Sequence, residues 1–552
     1  MADVDTRTTA ARPGPAATAP GHTLVGTWAM VRATLRQDRV KLPGWIAGFA
    51  LFALYVGVAV PVAYPTETDL QSALGLLADP MGRLLTGPGY GFDDVSYERV
   101  VANGYGLYLM LMAAIMSILS VTRHTRLEEQ TGRYELVRSA VVGRHAPLAA
   151  TLVVTAGANL VAGLAIAATL VAAAGFGLAG STLTGASVAA VGLAFTGVAS
   201  MTAQVTRYAR TASGLAGIVL GASFVLRAVG DMGRAGGGTL SWLSPLGWGQ
   251  QSAPFVLDRW WPLALPLAFG AATTIAGVTL SAHRDLGSGL LAGRPGPPTA
   301  SRALTGSLGL AVRLQRAAIL GWTAALAVSG ALFGAFTDAM GETAGDMPEV
   351  FRDVFGSDEM IDGYLAYMAV FMAYLAAVYA VAAVHAWRGE ETGGRVTPVL
   401  ATPVSRWSWL GANLLVTAAG VVLAMVATGV ATGFGAALVT GEWSSVGEMT
   451  VAHLVQVPGV LVVLGLAVAC FGWLPRAVPA VWGLIVFGVV VGTFGALLDL
   501  PSVVVELSPF EHAARLPLEP FAWAPTIGLS AVAAASMLLG LTGFRRRDLD
   551  GS

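Results

Sequence analysis

Paired glutamates stand close to a glycine and an arginine at two places in the sequence. Glu128-Glu129 precedes Gly132-Arg133, and Glu390-Glu391 precedes Gly394-Arg395 at the same spacing. Each segment mixes these charges with apolar residues, a combination that suits a short helix docking onto another protein. For one segment alone, a solvated charged loop at the lipid headgroups is the simpler interpretation. A shift of 262 residues superposes the two segments, and this duplication in register favours docking.

Several other chemistries lack the residues that they need. Lys41 is the only lysine and lies in Val40-Lys41-Leu42-Pro43, whereas a phosphate-binding P-loop needs a lysine after a glycine-rich turn. The single cysteine, Cys470, excludes an internal disulfide and a thiolate zinc site. The seven histidines are scattered along the chain, at positions 22, 124, 145, 283, 385, 453 and 512. We therefore expect no catalytic site, no metal and no cofactor bound by this chain.

The elements that position these segments are membrane helices. Of the 552 residues, 55% are apolar and only 12% are charged, about half the charged fraction of a typical soluble domain. Apolar runs of about 20 residues, long enough to cross a bilayer, predict an all-α polytopic protein. The twelve predicted spans are 43–63, 101–121, 147–174, 184–205, 213–229, 262–282, 317–337, 364–386, 409–439, 450–473, 479–498 and 522–544.

The arginines predict the orientation of these spans. With the N-terminus in the cytoplasm, the inner segments hold most of the arginines and the outer segments hold most of the acidic residues, as the positive-inside rule requires. Twelve spans then place both termini in the cytoplasm. The paired glutamates fall in inner loops, after the second and the eighth span.

Further markers extend the duplication over the whole chain. The shift of 262 also aligns Tyr105 with Tyr367 and Arg144 with Arg406. Leu243-Ser244-Pro245 recurs as Leu507-Ser508-Pro509, and Arg284-Asp285-Leu286 recurs as Arg547-Asp548-Leu549. We predict two parallel six-helix repeats. The predicted domains are a disordered tail (1–21), a first half (22–286), a linker (287–303) and a second half (304–552).

Two amphipathic stretches, 24–41 and 304–316, are expected to lie on the inner leaflet before the first span of each half. The outer segments 64–100 and 338–363 are expected to form short lid helices. Within the spans, His453 and Gln456 are interpreted as hydrogen-bonded in place, and Asn159 and Gln204 as joining helices.

The second and eighth spans are rich in tyrosine and methionine. Deformable thioethers and amphipathic rings suit a greasy, variable ligand, although helix packing uses the same residue types. No paired carboxylates stand out within the spans, which argues against a proton- or sodium-coupled carrier.

The loop Glu128-Glu129-x-x-Gly132-Arg133-x-Glu135-Leu136-Val137 resembles the cytoplasmic coupling segment of ABC-2 type exporter permeases. The doubled arrangement is similar to the actinobacterial branch of antibiotic or polyketide (tetronasin-like) exporters. The resemblance implies export of hydrophobic small molecules, driven by a separate ATPase homodimer that binds ATP and Mg²⁺. The implied coupling residues are Glu128, Glu129, Arg133, Glu135, Arg144, Glu390, Glu391, Arg395 and Arg406.

The same family lines its transport path with the second and fifth helices of each half. That implies as path residues Tyr105, Tyr108, Met112, Tyr367, Phe371 and Tyr374. The second loop departs from the pattern, because Thr397-Pro398 replaces Glu135-Leu136, so the two loops are expected to couple unequally.

Two other classes of function remain as alternatives. The main one is a secondary, ion-coupled drug carrier with six spans in each half. The other, a membrane-embedded enzyme acting on lipid, would need clustered His, Asp or Glu at one membrane face. On each interpretation the chain is a multi-pass protein of the bacterial plasma membrane that contacts lipids, and no nucleic-acid partner is expected.

Overall fold

The computed structural model describes residues 23–66, 70–71, 80–92, 94–285, 287–290, 298–299, 301, 304, 306–338, 340, 360–494 and 500–549. Over these residues the chain is helical and contains no strand, which confirms the predicted all-α polytopic fold. The predicted tail 1–21, most of the linker 287–303 and most of the outer segment 338–363 lie outside the described residues.

Twelve helices among the described residues are long and apolar enough to cross a membrane. Each corresponds to one predicted span, and they are Lys41–Val62, Tyr97–Gln130, Ala146–Ala172, Leu178–Val205, Ala209–Gly233, Trp261–Ala282, Ser307–Ala335, Met360–Thr392, Arg406–Thr440, Ser445–Trp473, Pro475–Thr493 and Trp523–Arg546. We refer to them below as the first to the twelfth span.

Contacts divide the described residues into two compact units, one up to residue 290 and one from residue 298 onward. Each unit holds six spans. In the first unit the fourth span is the most buried and the second span is the next most buried. In the second unit the tenth span is the most buried and the eighth span is the next most buried. The second and fourth helices of a unit therefore form its centre, and the others shield them from lipid.

The second and eighth spans run further than predicted. They end at Gln130 and Thr392, so both glutamate pairs lie on the last helical turn and not in a loop. A glycine with positive φ follows each helix, Gly132 at 73° and Gly394 at 68°. Glycine adopts this left-handed conformation without steric cost and so commonly ends helices. The glycine of the repeated motif therefore ends a helix that carries the glutamates.

The two amphipathic stretches differ in structure. Thr27–Gln37 is a separate helix, and a turn at residues 38–40 separates it from the first span. The predicted counterpart 304–316 is different, because its described part continues without a break into the seventh span, Ser307–Ala335. Residues 307–335 contain no proline, so nothing local interrupts the helix there.

The third and fourth spans cross with their backbones in contact. A Cβ added at Gly163 would lie 2.5 Å from the carbonyl oxygen of Gly185, and one added at Gly185 would lie 2.2 Å from that of Gly163. Only glycine fits at both positions. Small residues at a crossing allow the close packing that associates helices in lipid, where no hydrophobic force drives them together.

A short outer helix, Pro80–Thr86, is fastened to the fifth span by two arginines. Arg83 donates from Nε to the Asp231 carbonyl (3.0 Å) and from Nη2 to the Met232 carbonyl (3.1 Å). In return, Arg227 donates to the carbonyls of Arg83 (3.3 Å) and Leu84 (2.5 Å). Each arginine thus satisfies the last carbonyls of the other helix, which lack partners within it. A short helix was expected in this segment.

Arg227 and Asp231 form a buried ion pair within the fifth span, at 3.4 Å. The predicted fifth span, 213–229, is shorter than the observed helix, which runs from Ala209 to Gly233 and buries the Arg227 side chain completely. Ser241 also donates to Asp231, at 2.6 Å. The ion pair therefore helps to hold the short helix Pro80–Thr86 against the fifth span.

Replacing Arg227 with alanine is expected to destabilise the protein by about 3–5 kcal/mol, because it leaves the Asp231 carboxylate buried without its cation. The control is Arg210→Ala, an exposed arginine on the same span, expected within about 0.5 kcal/mol of the parent. Thermal unfolding of the purified protein in detergent measures both. Equal melting temperatures for the two variants would contradict the anchoring role.

Candidate docking surface and transport path

Glu129 joins the end of the second span to the end of the sixth. Its carboxylate accepts from Arg284 at 2.6 and 3.0 Å and from Arg126 at 2.9 Å. Arg284 also donates to the side chain of Gln204, at 2.6 Å, and Arg126 donates to the Ala203 carbonyl. All of these groups are nearly or fully buried. The contact thus ties three spans together at one end of the first unit.

Glu391 makes the equivalent contact in the second unit. Its two carboxylate oxygens each accept from Arg547, both at 2.6 Å. The Arg547 guanidinium also lies over the rings of Phe471 and Phe544, at 5.2 and 5.1 Å from their centroids. A bidentate pair under aromatic rings combines charge-assisted hydrogen bonding with cation–π attraction.

Arg144 and Arg406 bind the ends of the last spans of their units. Arg144 donates to the carbonyls of Ser281 (3.3 Å), Ala282 (2.6 Å) and Arg284 (3.4 Å). Arg406 donates to the carbonyls of Phe544, Arg545 and Arg547. The acceptors correspond one to one under a shift of 263 residues. A cation at a helix C-terminus satisfies orphan carbonyls and interacts favourably with the helix dipole.

Four of the predicted coupling residues also bind within their own unit. Glu129 and Glu391 pair with buried arginines, and Arg144 and Arg406 donate to helix-end carbonyls. Contact of these residues with a partner stays a prediction. We call the two sets of contacts the joints: Glu129–Arg284 with Arg144, and Glu391–Arg547 with Arg406. The joints fix the position of each inner loop relative to the last span of its unit.

Glu128 belongs to a second network in the first unit. It lies 3.4 Å from His124, whose other ring nitrogen contacts Asp38, and Asp38 also pairs with Arg123 at 2.6 Å. Asp38 lies just after the amphipathic helix Thr27–Gln37. The network therefore links that surface helix to the base of the first inner loop.

The remaining predicted coupling residues are exposed. Arg133 and Glu135 lie on the short helix Arg133–Arg138, beside Leu136, which is 74% exposed, and Val141, which is 92% exposed. We call Arg133, Glu135, Leu136 and Val141 the first docking surface. In the second unit, Arg395 pairs with Glu390 at 2.8 Å on the surface, and Thr397 and Pro398 are exposed. Leu136 and Val141 thus present large apolar side chains to the surroundings among the charges of the first loop.

The predicted path residues of the first unit contact one another and the first span. The rings of Tyr105 and Tyr108 are 6.4 Å apart, and Tyr108 lies 6.5 Å from Phe52. Met112 is half-buried near Gly48. Tyr105 ends a π-helical turn, Val101–Tyr105, and such turns occur frequently at functional sites.

Two of the three path residues of the second unit contact its fifth helix and the neighbouring loop. Tyr367 bonds to Thr493 at 3.0 Å, and Tyr374 packs edge-on against Phe510 at 4.7 Å. Phe371 faces Phe333 instead, at 6.2 Å. The Tyr374 hydroxyl and Oε1 of Glu511 are buried, and neither has a hydrogen-bond partner among the described residues. They lie at most 4.9 Å apart, because a Cβ at Gly492 would be 2.0 Å from one and 2.9 Å from the other.

Sequence reasoning missed several of these residues. The Arg-Asp-Leu repeat was noticed, but Arg284 and Arg547 were not paired with the glutamates. Glu511 carried no signal beyond its closeness to the repeated Leu507-Ser508-Pro509, and Gly492 carried none. The polar residues within the spans behave as expected: Asn159 donates to Ser117 at 2.9 Å, and His453 contacts the Met449 carbonyl at 2.8 Å. Over the described residues no cluster of His, Cys, Asp or Glu could hold a metal.

The adjacent glutamates of the second unit allow a matched test of the joint. Glu391→Ala leaves Arg547 without its buried carboxylate and is expected to destabilise the protein by about 3–5 kcal/mol. Glu390→Ala removes an exposed pair and is expected to cost at most about 1 kcal/mol. Thermal unfolding in detergent compares the two variants. A larger loss of stability for Glu390→Ala than for Glu391→Ala would contradict the role of Glu391 in the second joint.

Removing the Tyr374 hydroxyl tests its lack of a partner. Tyr374→Phe is expected to leave the stability of the protein unchanged or to raise it by up to about 1–3 kcal/mol, and so to keep or raise the melting temperature. The reason is that the substitution removes a buried unpaired hydroxyl and breaks no hydrogen bond. Tyr367→Phe, which loses the bond to Thr493, is expected to lower it. The same unfolding measurement decides, and a clear loss of stability in Tyr374→Phe would show that the hydroxyl has a partner.

Comparison with known proteins identifies the family of this fold. A family model described as "Multidrug efflux system permease Rv1217c, C-terminal domain" matches residues 30–280 and 304–545, one range in each half. The chain is 37% identical over 537 residues to the multidrug efflux system permease protein Rv1217c of Mycobacterium tuberculosis, covering 96% of both chains. It is therefore a multi-pass plasma-membrane protein that belongs to the family of the multidrug efflux system permease Rv1217c.

Proposed function

We propose that this chain is the permease subunit of an ATP-driven ABC-2 type exporter that expels hydrophobic small molecules from the cell, within the doubled, tetronasin-like branch. The similar M. tuberculosis protein is named a multidrug efflux permease, which supports efflux as the direction and drug-like compounds as the substrates. The chain itself is a transport subunit and not an enzyme.

The observation that carries the proposal is the occurrence of the same joint in both units. In each, a carboxylate at the end of the second helix binds an arginine at the end of the last helix, and a loop arginine binds the final carbonyls of that helix. A force applied to the loop therefore reaches two membrane helices directly. Coupling of this kind needs packed contacts with more than one stable arrangement, which an external ATPase would bias.

The energy source must lie outside the chain. A P-loop requires a lysine after a glycine-rich turn, and the only lysine, Lys41, begins the first span. A separate ATPase homodimer would bind ATP and Mg²⁺ and rest one subunit on each inner loop. The first docking surface offers it two apolar side chains among charges, and the second loop offers Glu390, Arg395, Thr397 and Pro398.

The rival, an ion-coupled carrier, is favoured by one observation. Asp231 is a carboxylate buried in a membrane span, and such residues often carry protons in transporters. Its oxygens are already engaged by Arg227 and Ser241, and the pair fastens the outer helix. The structural role explains Asp231 without a coupling ion.

Substitution on the first docking surface tests the proposal. Leu136→Asp and Val141→Asp place charges at apolar contacts, and each is expected to lower stimulation of the partner ATPase by the permease about tenfold, a loss of about 1.4 kcal/mol in binding. The assay uses the permease co-purified with its ATPase, in nanodiscs.

The control is Ala235→Asp, which adds the same charge to an exposed residue after the fifth span. It is expected to leave ATPase stimulation unchanged, since that segment is predicted to lie on the other side of the membrane. Stimulation that persists in both loop variants would contradict docking at this surface.

A further inference from the structure

The first joint encloses a cavity of about 330 Å³. Its lining comes from the end of the second span, the following loop, the start of the third span and the ends of the fourth and sixth spans. Most of the lining is polar, and it includes Glu129, Arg144, Gln204, Ser281, Arg284 and Asp285. This volume is far larger than the roughly 30 Å³ that one water occupies in the liquid.

In the second unit, aromatic rings stand at the corresponding positions. The shifts that superpose the joints place Trp387 at the position of Thr125, Trp409 at that of Pro147 and Phe544 at that of Ser281. All three rings are buried, and Trp409 stacks on Phe544 at 5.4 Å. Phe471, near the end of the tenth span, stacks on Phe544 at 5.5 Å.

The two joints thus share one framework and differ in what fills it. The glutamate–arginine pair and the arginine that binds the helix end are present in both. A filled joint gains dispersion contacts that a cavity forfeits, and the second unit shows that this framework accommodates the filling. The open volume in the first unit therefore indicates an occupant.

The position of the cavity indicates where the occupant comes from. Its wall residue Arg144 lies between Gly143 and His145, whose backbone amides donate to the carbonyls of Val25 (2.8 Å) and Thr23 (3.0 Å). The amphipathic helix that follows, Thr27–Gln37, exposes Trp28 and Leu35. Such a helix lies at the level of the lipid headgroups, and the two backbone hydrogen bonds hold the wall of the cavity next to the start of this helix.

The lining offers charges of both signs. Arg144 uses Nη2 for the helix-end carbonyls, and a guanidinium has five donors, so it can also bind a phosphate. Asp285 is exposed at the rim. Glu129 in the wall is paired with two arginines, Arg284 and Arg126. An arginine and a carboxylate on one cavity match a ligand that carries an anionic and a cationic group together.

We propose that this cavity binds a phosphate with a neighbouring ammonium, the chemistry of a phosphatidylethanolamine headgroup or of soluble phosphoethanolamine. Arg144 holds the phosphate, and Asp285 holds the ammonium. The site belongs to the first unit only, because aromatic rings occupy its counterpart. The proposal does not depend on the ATPase, since binding is measured on the permease alone.

Binding to the delipidated full chain in detergent tests the site, with native mass spectrometry as the readout. The probes are dihexanoyl phosphatidylethanolamine, dihexanoyl phosphatidylglycerol, which lacks the ammonium, and soluble phosphoethanolamine. We expect one phosphatidylethanolamine per chain, bound about tenfold more tightly than phosphatidylglycerol. Weaker binding of phosphoethanolamine than of the lipid identifies the lipid as the natural occupant, and equal binding identifies the soluble group.

Ser281→Phe installs the ring of the second unit and is expected to lower the affinity for phosphatidylethanolamine at least tenfold. Ala401→Phe, an exposed position on the second inner loop, controls for an added ring and is expected to change nothing. Asp285→Asn, which alters only an exposed side chain, is expected to abolish the preference for phosphatidylethanolamine over phosphatidylglycerol.

An unchanged preference in Asp285→Asn overturns the proposal even if Ser281→Phe fails to fold. Absence of any bound probe in the parent protein also overturns it and leaves the cavity to water. Loss of ATPase stimulation with intact lipid binding would concern the docking surface and not this site.

Discussion

A buried carboxylate needs a cation beside it, and in each unit this requirement joins the end of the second helix to the end of the last. Removing either partner would leave a charge in a medium that solvates it poorly. Because Glu129 and Glu391 are held in this way, the loops that follow start from fixed positions and turn their remaining side chains outward. The positions of the exposed loop residues, the arginines that bind the helix ends and the cavity of the first unit all depend on this one contact.

The duplication preserves this framework and varies its surroundings. The second joint is packed with aromatic rings, and the first is lined by polar groups around open space. The exposed loops differ as well, because Thr397-Pro398 stands where the first loop has Glu135-Leu136. An ATPase dimer that presses on both loops would therefore meet a rigid joint in one unit and a more compliant joint in the other, so the two units would respond unequally to the same nucleotide cycle.

The spans could be predicted from the sequence because the hydrocarbon thickness fixes the length of an apolar run. The contacts of the glutamates could not, since Glu129 and its partner Arg284 are 155 residues apart, and nothing in a charged motif tells whether it faces water or a partner within the fold. The same holds for Tyr374, whose neighbours Gly492 and Glu511 come from separate segments. The fifth span was predicted as 213–229, whereas its helix extends from Ala209 to Gly233.

Transport in reconstituted vesicles tests the central claim most directly. The permease and its ATPase are placed in proteoliposomes, and uptake of a fluorescent hydrophobic drug is followed into inside-out vesicles. The proposed function predicts accumulation that requires ATP and Mg²⁺, persists when a proton ionophore is added and is lost when the ATPase is omitted. Accumulation driven by a proton gradient alone, with the permease as the only protein, would contradict it.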